Sequence, residues 1–153
     1  MLLAKNRKAT FNHEILEKFM AGIILRGYEV KAIKEGKVNM TGSYITLIQN
    51  EPYVVNMHIG KYSKQSQNYD ENDSRKSRKI LITKNELQKL QRELSQKGKT
   101  AVPLALLLKH NLIKLEFAIV KGRKKHEKKI VAQERQVKKE LDKAAKDSRK
   151  YVY

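Results

Sequence analysis

From position 121 onward this chain has little with which to build a core. Residues 121–153 hold 13 Lys/Arg against 5 Asp/Glu and few large apolar side chains. Such a segment cannot bury enough surface to offset the entropy of ordering it. The fold must therefore come from residues 1–120, and 121–153 is expected to be a basic C-terminal tail, unstructured when free, with the boundary at Lys121-Gly122. The body carries 21 Lys/Arg and 11 Asp/Glu, so the formal net charge of +18 divides into +10 for the body and +8 for the last fifth of the chain. An excess that large points to an anionic partner: nucleic acid, an anionic membrane surface or an acidic protein.

Within the body, apolar spacing reads mainly as strand. Ile15, Phe19, Ala21, Ile23 and Leu25 recur with period 2, with Met20 and Ile24 breaking the polar side, and predict a long strand. A helix over 11–20 competes, since Phe11, Ile15, Leu16 and Phe19 also fit a period of 3.6. After Gly27 a short helix is expected over 28–34, with Val30 and Ile33 inward and Gly36 closing it. Segments 43–48 and 53–58 flank Gln49-Asn50-Glu51-Pro52 as a hairpin. The run 61–76, KYSKQSQNYDENDSRK, is polar throughout and predicts an exposed, mobile loop before a short strand at 79–82. Thr83 and Glu86 have the spacing of a capping box, Leu87, Leu90 and Leu94 follow at helical spacing, and Gly98 stands where that helix would close. Segments 100–108 and 112–120 make a second hairpin around Lys109-His110-Asn111, with Ile113, Leu115, Phe117 and Ile119 on one face and Lys114 and Glu116 on the other.

About six strands and two short helices lack the crossover helices of a parallel α/β fold. The pattern predicts a mainly β protein, a small OB-like barrel with helices plugging its ends. The longest apolar stretches, 101–108 and 115–120, are too short for a membrane span of about 20 residues. The opening MLLAKNRK has no signal-peptide core. With no cysteine, a reducing compartment and a cytoplasmic location are expected, and disulfides and thiolate metal sites are excluded.

Catalysis finds no foothold in the pattern. His13, His58, His110 and His126 show no ligand spacing, so no metal is expected. Nothing resembles a phosphate-cradling glycine loop or a nucleophile with its base. Glu14, Glu17 and Glu29 read as surface or barrel-rim residues. No cofactor and no enzymatic activity are expected.

Two basic runs carry the functional signal. Arg75, Lys76, Arg78 and Lys79 form a cluster that suits either a phosphate-contacting ridge or a solubilising cover for a strand edge. The run Lys121-Gly-Arg-Lys-Lys-His-Glu-Lys-Lys129 places six cations in nine residues around one imidazole. That composition suits threading along a phosphate groove, with His126 stacking on an unpaired base, although a nuclear localisation signal looks similar. Ile130, Val137, Leu141, Ala144 and Ala145 then fall at helix-compatible spacing, too thin to fold alone, so folding on contact with RNA is expected.

A longer series of short strings adds to this reading. Asn6-Arg-Lys-Ala9, Ala21-Gly-Ile23, Gly27-Tyr-Glu-Val-Lys31, Gly36-Lys-Val-Asn39, Ser43-Tyr44, Asn56-Met-His-Ile59, Arg78-Lys-Ile-Leu81, Lys121-Gly122 and His126-Glu-Lys-Lys129 resemble the small protein B (SmpB) family in order and spacing. The resemblance covers nearly the whole chain. It implies an OB-like barrel that binds the tRNA-like domain of transfer-messenger RNA and enters a stalled ribosome with it. There the tail would occupy the empty mRNA channel near the 16S rRNA decoding centre and fold as a helix. The resemblance also implies no membrane, no cofactor and no bond made or broken by the protein, which is expected to be a monomer when free.

Carried over by position, Asn6, Arg7 and Lys8 match the family's N-terminal RNA-contacting motif, and Leu81 matches a barrel position tied to transfer-messenger RNA. Lys31, Lys37, Arg78 and Lys79 join them as expected RNA contacts. Gly122, Arg123, Lys124, Lys125, His126, Glu127, Lys128 and Lys129 make up the expected ribosome-contacting tail. Three departures stand out. Met20 replaces the acid of the family's E-A-G motif, leaving a neighbour such as Glu17 to supply it. Glu127-Lys128-Lys129 replaces D-K-R and loses the guanidinium fork. The loop 63–73 does not follow the usual D-P-x-R approach to the basic cluster. A structural rRNA-binding ribosomal protein, or a basic protein-interaction module, would share the charge but not this series of motifs.

Overall fold

The computed structural model of the protein describes residues 1–64, 71–122 and 135–139. Its frame is the hairpin of β8 (Lys99–Lys109) and β9 (Leu112–Gly122), paired along nearly their full length. His110 and Asn111 turn it with φ of 52° and 61°, left-handed at both central positions as a two-residue hairpin of this twist requires. The other face of β9 pairs with β2 (His13–Ile23), so the sequence's strand reading of this segment holds and the competing helix over 11–20 does not form. β4 (Tyr44–Ile48) and β5 (Glu51–Val55) make the second hairpin. Its turn is Gln49-Asn50 alone, again at positive φ. Pro52, expected in the turn, instead lies in β5 opposite Leu47.

β7 (Arg78–Leu81) joins β5 to β2, and β4 meets β8 at Ile45–Ala101. The order β4-β5-β7-β2-β9-β8 thus closes on itself as a ring of six strands. This is the OB-like barrel that the sequence predicted. β1 (Leu2–Lys5) extends the ring on β8, and the short β3 (Val38–Asn39) and β6 (His58–Ile59) pair separately. These three short strands went unread because two to four residues carry no measurable alternation.

The alternation that sorts side chains is interrupted twice. Between Ile15 and Glu17 in β2, and between Pro103 and Ala105 in β8, the register slips by a bulge. A bulge adds one residue and sends what precedes it to the opposite face. Ile15 was expected inward with Phe19 and Ala21. It lies instead in a small outer cluster with Ala9, Val102, Leu104, Ala118 and Val120. That cluster seats α1 (Arg7–Asn12), a helix of six residues too short to leave a periodic signal in sequence. The inner core holds Phe19 stacked on its cross-strand partner Phe117 at 5.1 Å, along with Ile45, Val54, Ile80, Leu106 and Leu115.

α2 (Gly27–Lys34) caps the barrel through Ala32 and Ile33, and α3 (Lys84–Leu94) docks through Leu90. The Thr83–Glu86 capping box forms in both directions. This helix closes earlier than expected, at Ser95, and Gly98 with φ +84° serves the turn into β8. Met1–Gly122 forms one compact unit and Arg123–Tyr153 a second, in which residues 135–139 are helical and exposed. β9 runs two residues beyond its expected end, with Lys121 opposite Glu14 and Gly122 opposite His13. The expectation of a tail unstructured when free concerns residues that otherwise lie outside those described.

One buried pair ties the second half of the 61–76 segment down. Arg78 is 3% exposed, and its Nε donates to Glu29 Oε2 at 2.5 Å. Its other nitrogens donate to the carbonyls of Met57 (2.7 Å), Ser74 (3.0 Å), Lys76 (3.2 Å) and Asp73 (3.5 Å). Glu29, read from the sequence as a rim carboxylate, is equally buried and also accepts from Arg26 N–H, with the Lys76 ammonium at 3.6 Å. The expected open loop is therefore organised from Glu71 to Lys76, with a 3-10 turn at Glu71–Arg75. Removing one partner from a buried ion pair strands the other charge. Arg78→Ala should lower stability by about 3–5 kcal/mol, measured as the urea midpoint of the full chain.

Candidate nucleic-acid interface

Asn6 shows how this surface is built. Its side-chain oxygen caps α1 by accepting from Ala9 N–H at 3.3 Å. Its Nδ2 donates to the carbonyls of Pro103 (2.9 Å) and Met40 (3.3 Å), and its backbone N–H donates to Leu104. A single buried amide thus fastens the start of α1 to the β8 bulge and to the segment that follows β3. Asn6, expected to touch RNA, is 5% exposed and acts by position. The residues it presents are Arg7 and Lys8, both exposed and outside every ion pair formed among the described residues.

Beside them lies an open groove of about 530 Å³ on the outer wall, lined by Lys8, Asn12, His13, the Thr41–Gly42–Ser43 turn, Tyr44 and Thr100. A smaller depression of about 190 Å³, lined also by Lys5, Arg7 and Asn39, shares Asn6, Lys8 and Thr41 with it. The turn is set by Gly42 at φ +78° and by Ser43, which donates through its N–H and hydroxyl to Met40 O. Tyr44 is 43% exposed. An exposed aromatic, an amide and an unpaired lysine around one concavity suit an unstacked base and its phosphate.

A second outer surface lies across three strands. Leu81 on β7, Gly22 on β2 and Lys114 on β9 are successive register partners, and Met20 stands opposite Glu116 one step along. Leu81 is 54% exposed and Met20 42%. A Cβ on Gly22 would come within 3.4 Å of the Leu81 Cβ, so glycine leaves room for the leucine to lie along the wall. Lys114 was recognised in sequence as outward but not as a neighbour of Leu81, because strand order is not written in alternation. The carboxylate beside Met20 is that of Glu116. Glu17, suggested from sequence as a substitute acid, alternates to the other side and is paired with Lys89 of α3.

The remaining expected contacts fall elsewhere. Lys79 faces outward beside Tyr53 and pairs with Glu51 at 3.2 Å. Arg78 is buried, so its guanidinium is structural and the four-cation ridge is reduced to Arg75, Lys76 and Lys79. Lys31 and Lys37 belong to α2 and its exit: the Lys31 ammonium lies 5.3 Å from the Tyr62 ring centroid, and Lys37 is 4.0 Å from Glu35. Residues 123–129 lie outside the described residues. Among the described residues no group of His, Asp or Glu could hold a metal ion, and no helix is long and apolar enough to cross a membrane.

Comparison with known proteins gives one consistent result. The family profile described as SmpB protein matches residues 3–147. The chain is 40% identical to the SsrA-binding protein of Christiangramia forsetii over 94% of this chain and 90% of that one. It is 41% identical to the SsrA-binding protein of Mycoplasma mobile, over 93% and 96% of the two chains. A solved chain from a structure described as "tmRNA-SmpB: a journey to the center of the bacterial ribosome" aligns with a TM-score of 0.67 at 38% identity, covering 82% of this chain and 87% of that one.

Two outcomes follow from this geometry. Asn6→Ala would take the Asn6 donor from the buried Pro103 carbonyl and the cap from α1, while Met40 O keeps its bonds from Ser43, at a cost of about 2 kcal/mol. Hydrogen exchange at the Ala9 amide should rise together with the loss in unfolding free energy. The second outcome concerns Glu35, whose carboxyl is held below the ordinary glutamate range by hydrogen bonds from Ser63, with Lys37 adding to the effect. Because its folded value is depressed, the contact is complete above the ordinary carboxylate range and is lost as pH falls through the lowered value. Protection of the Ser63 amide should therefore fall on acidification, and Glu35→Gln should remove that pH dependence.

Proposed function

The chain belongs to the SmpB family, and on that premise we propose that its barrel and its tail serve two different RNA surfaces in one adaptor. The protein binds transfer-messenger RNA and works with it on the ribosome in trans-translation. The seating of Arg7 and Lys8 by Asn6 beside the Tyr44 groove carries the reading of where the first RNA sits. Cations positioned on a rigid wall neutralise phosphates and fix the register of a folded RNA, while Tyr44 offers a face on which an unpaired base can stack. Leu81, with Lys114 and Lys79 near it, supplies an apolar and cationic strip for the same ligand, the tRNA-like domain. Lys31 and Lys37 add positive field on the α2 side.

The tail has the second role. Gly122, Arg123, Lys124, Lys125, His126, Glu127, Lys128 and Lys129 pass from the end of β9 into a cation-rich segment suited to an empty mRNA channel. There His126 stacks on a base of the 16S rRNA decoding centre, in place of the pairing that a codon would provide. The protein works in the cytoplasm and catalyses no bond change, and its effect is one of placement.

This division of labour predicts separable losses. His126→Ala should leave the affinity for transfer-messenger RNA within about twofold while lowering peptide tagging on stalled ribosomes about tenfold, the equivalent of about 1.4 kcal/mol from one lost stacking contact. Filter binding and a tagging assay on the full chain measure the two quantities. Parallel loss of both would overturn the division.

A further inference from the structure

We propose that the RNA surface at the Tyr44 groove continues past Gly42 to Arg75, which contacts an RNA phosphate there, and that Asn56 positions this arginine. The inference rests on the assignment of the groove to RNA. Asn56 stands just past β5 in the left-handed region, at φ 64°. Its side chain bridges two segments far apart in sequence. Nδ2 donates to the carbonyl of Gly42, at the groove's edge, at 3.3 Å, and Oδ1 accepts from Arg75 Nη1 at 3.4 Å. One amide therefore connects the turn that lines the groove to the exposed guanidinium of the 3-10 segment.

The surroundings of Arg75 fit a phosphate contact. Among the described residues it joins no ion pair. Asn56 engages one of its five N–H donors, leaving the rest of the fork for a bidentate acceptor. Its neighbours in the cluster are committed elsewhere: Arg78 to Glu29 and the loop carbonyls, Lys76 to Glu29, and Lys79 to Glu51. The same Arg78 contacts that use up one guanidinium anchor the carbonyls of Asp73, Ser74 and Lys76 around Arg75. The segment holding Arg75 is thus fixed from the inside, while its guanidinium is turned outward and oriented by Asn56. An orientation already present in the free protein is one the RNA does not have to impose.

The test uses the full chain and a transfer-messenger RNA transcript, with affinity measured across a salt series. Arg75→Ala should weaken binding severalfold and make the slope of log K against log salt shallower by about 0.7–0.9, the signature of one lost phosphate contact. Arg75→Lys should retain most of that slope, because the charge remains. Asn56→Gly removes the amide without straining the left-handed backbone. It should weaken binding less than Arg75→Ala and add nothing to it in the double variant. Circular dichroism melts identify variants that lose affinity by unfolding. Lys8→Ala on the same RNA is the control for the groove itself. If Lys8→Ala flattens the slope and Arg75→Ala does not, the extension to Arg75 is wrong and the groove stands. If neither does, the groove assignment and the extension fall together. Additive losses for Asn56→Gly and Arg75→Ala would overturn the positioning role of Asn56.

Discussion

The buried pairing of Arg78 with Glu29 holds together parts that the barrel's own hydrogen bonds leave separate. β7 makes only short ladders with its neighbours, two register pairs with β5 and two with β2, so the wall is thin where the helix α2 must seal it. Arg78 points into that end of the barrel with Ile80, opposite Val54. From there one guanidinium reaches the helix, the carbonyl of Met57 before β6 and three carbonyls of the loop that leads into β7. A buried ion pair of this kind is a weak source of net stability, because desolvation offsets most of the attraction. Its value here is geometric. A hydrophobic isostere could fill the volume, but it could not collect four carbonyls from different segments, and the buried carbonyls of Met57 and Ser74 would lose the guanidinium donor.

The same economy appears on the outside of the barrel. Two bulges, one in β2 and one in β8, turn Ile15 and Leu104 outward, and the patch they make with Val102, Ala118 and Val120 is what α1 needs for a seat. Pro103 sits at the β8 bulge, where its missing N–H costs little, and its carbonyl is free to accept from Asn6. A six-residue helix would not persist by itself. Held by one apolar patch and one amide, it presents Arg7 and Lys8 from a fixed position. The exposure of these two cations therefore depends on backbone irregularities in strands that otherwise follow simple alternation.

This explains what the sequence made legible and what it hid. Long elements with a clean period were readable: β9 from Ile113 to Ile119, the capping box at Thr83 and Glu86, and the helix after Gly27. Short elements were not, because β1, β3, β6 and α1 fall below the length at which a period can be counted. The bulge in β2 put Ile15 on the wrong face, since nothing in residue type marks an extra residue in a ladder. Local charge was also ambiguous. Arg75, Lys76, Arg78 and Lys79 look alike in a string, yet one is buried, two are paired with acids and one is exposed. The alternation of β7 separates Arg78, inward with Ile80, from Lys79, and the carboxylates of Glu29 and Glu51 separate Lys76 and Lys79 from Arg75.

Motif matching and packing thus carry different information about the same residues. Asn6, Arg7 and Lys8 are adjacent in one recognisable string, but the first is a buried anchor and the other two are the surface it holds out. Likewise Leu81 and Arg78 share a short strand while facing opposite sides of the wall. The replacement of the family's acid by Met20 has its meaning set by the register, which places Glu116 directly across on the same face and directs Glu17 to Lys89. A negative group therefore remains opposite Met20 and on the same strand face as Lys114, displaced by one strand. If this wall meets RNA, as proposed, one carboxylate among lysines would discriminate more than it attracts, since it would repel backbone oxygens and accept from base amino or ribose hydroxyl groups.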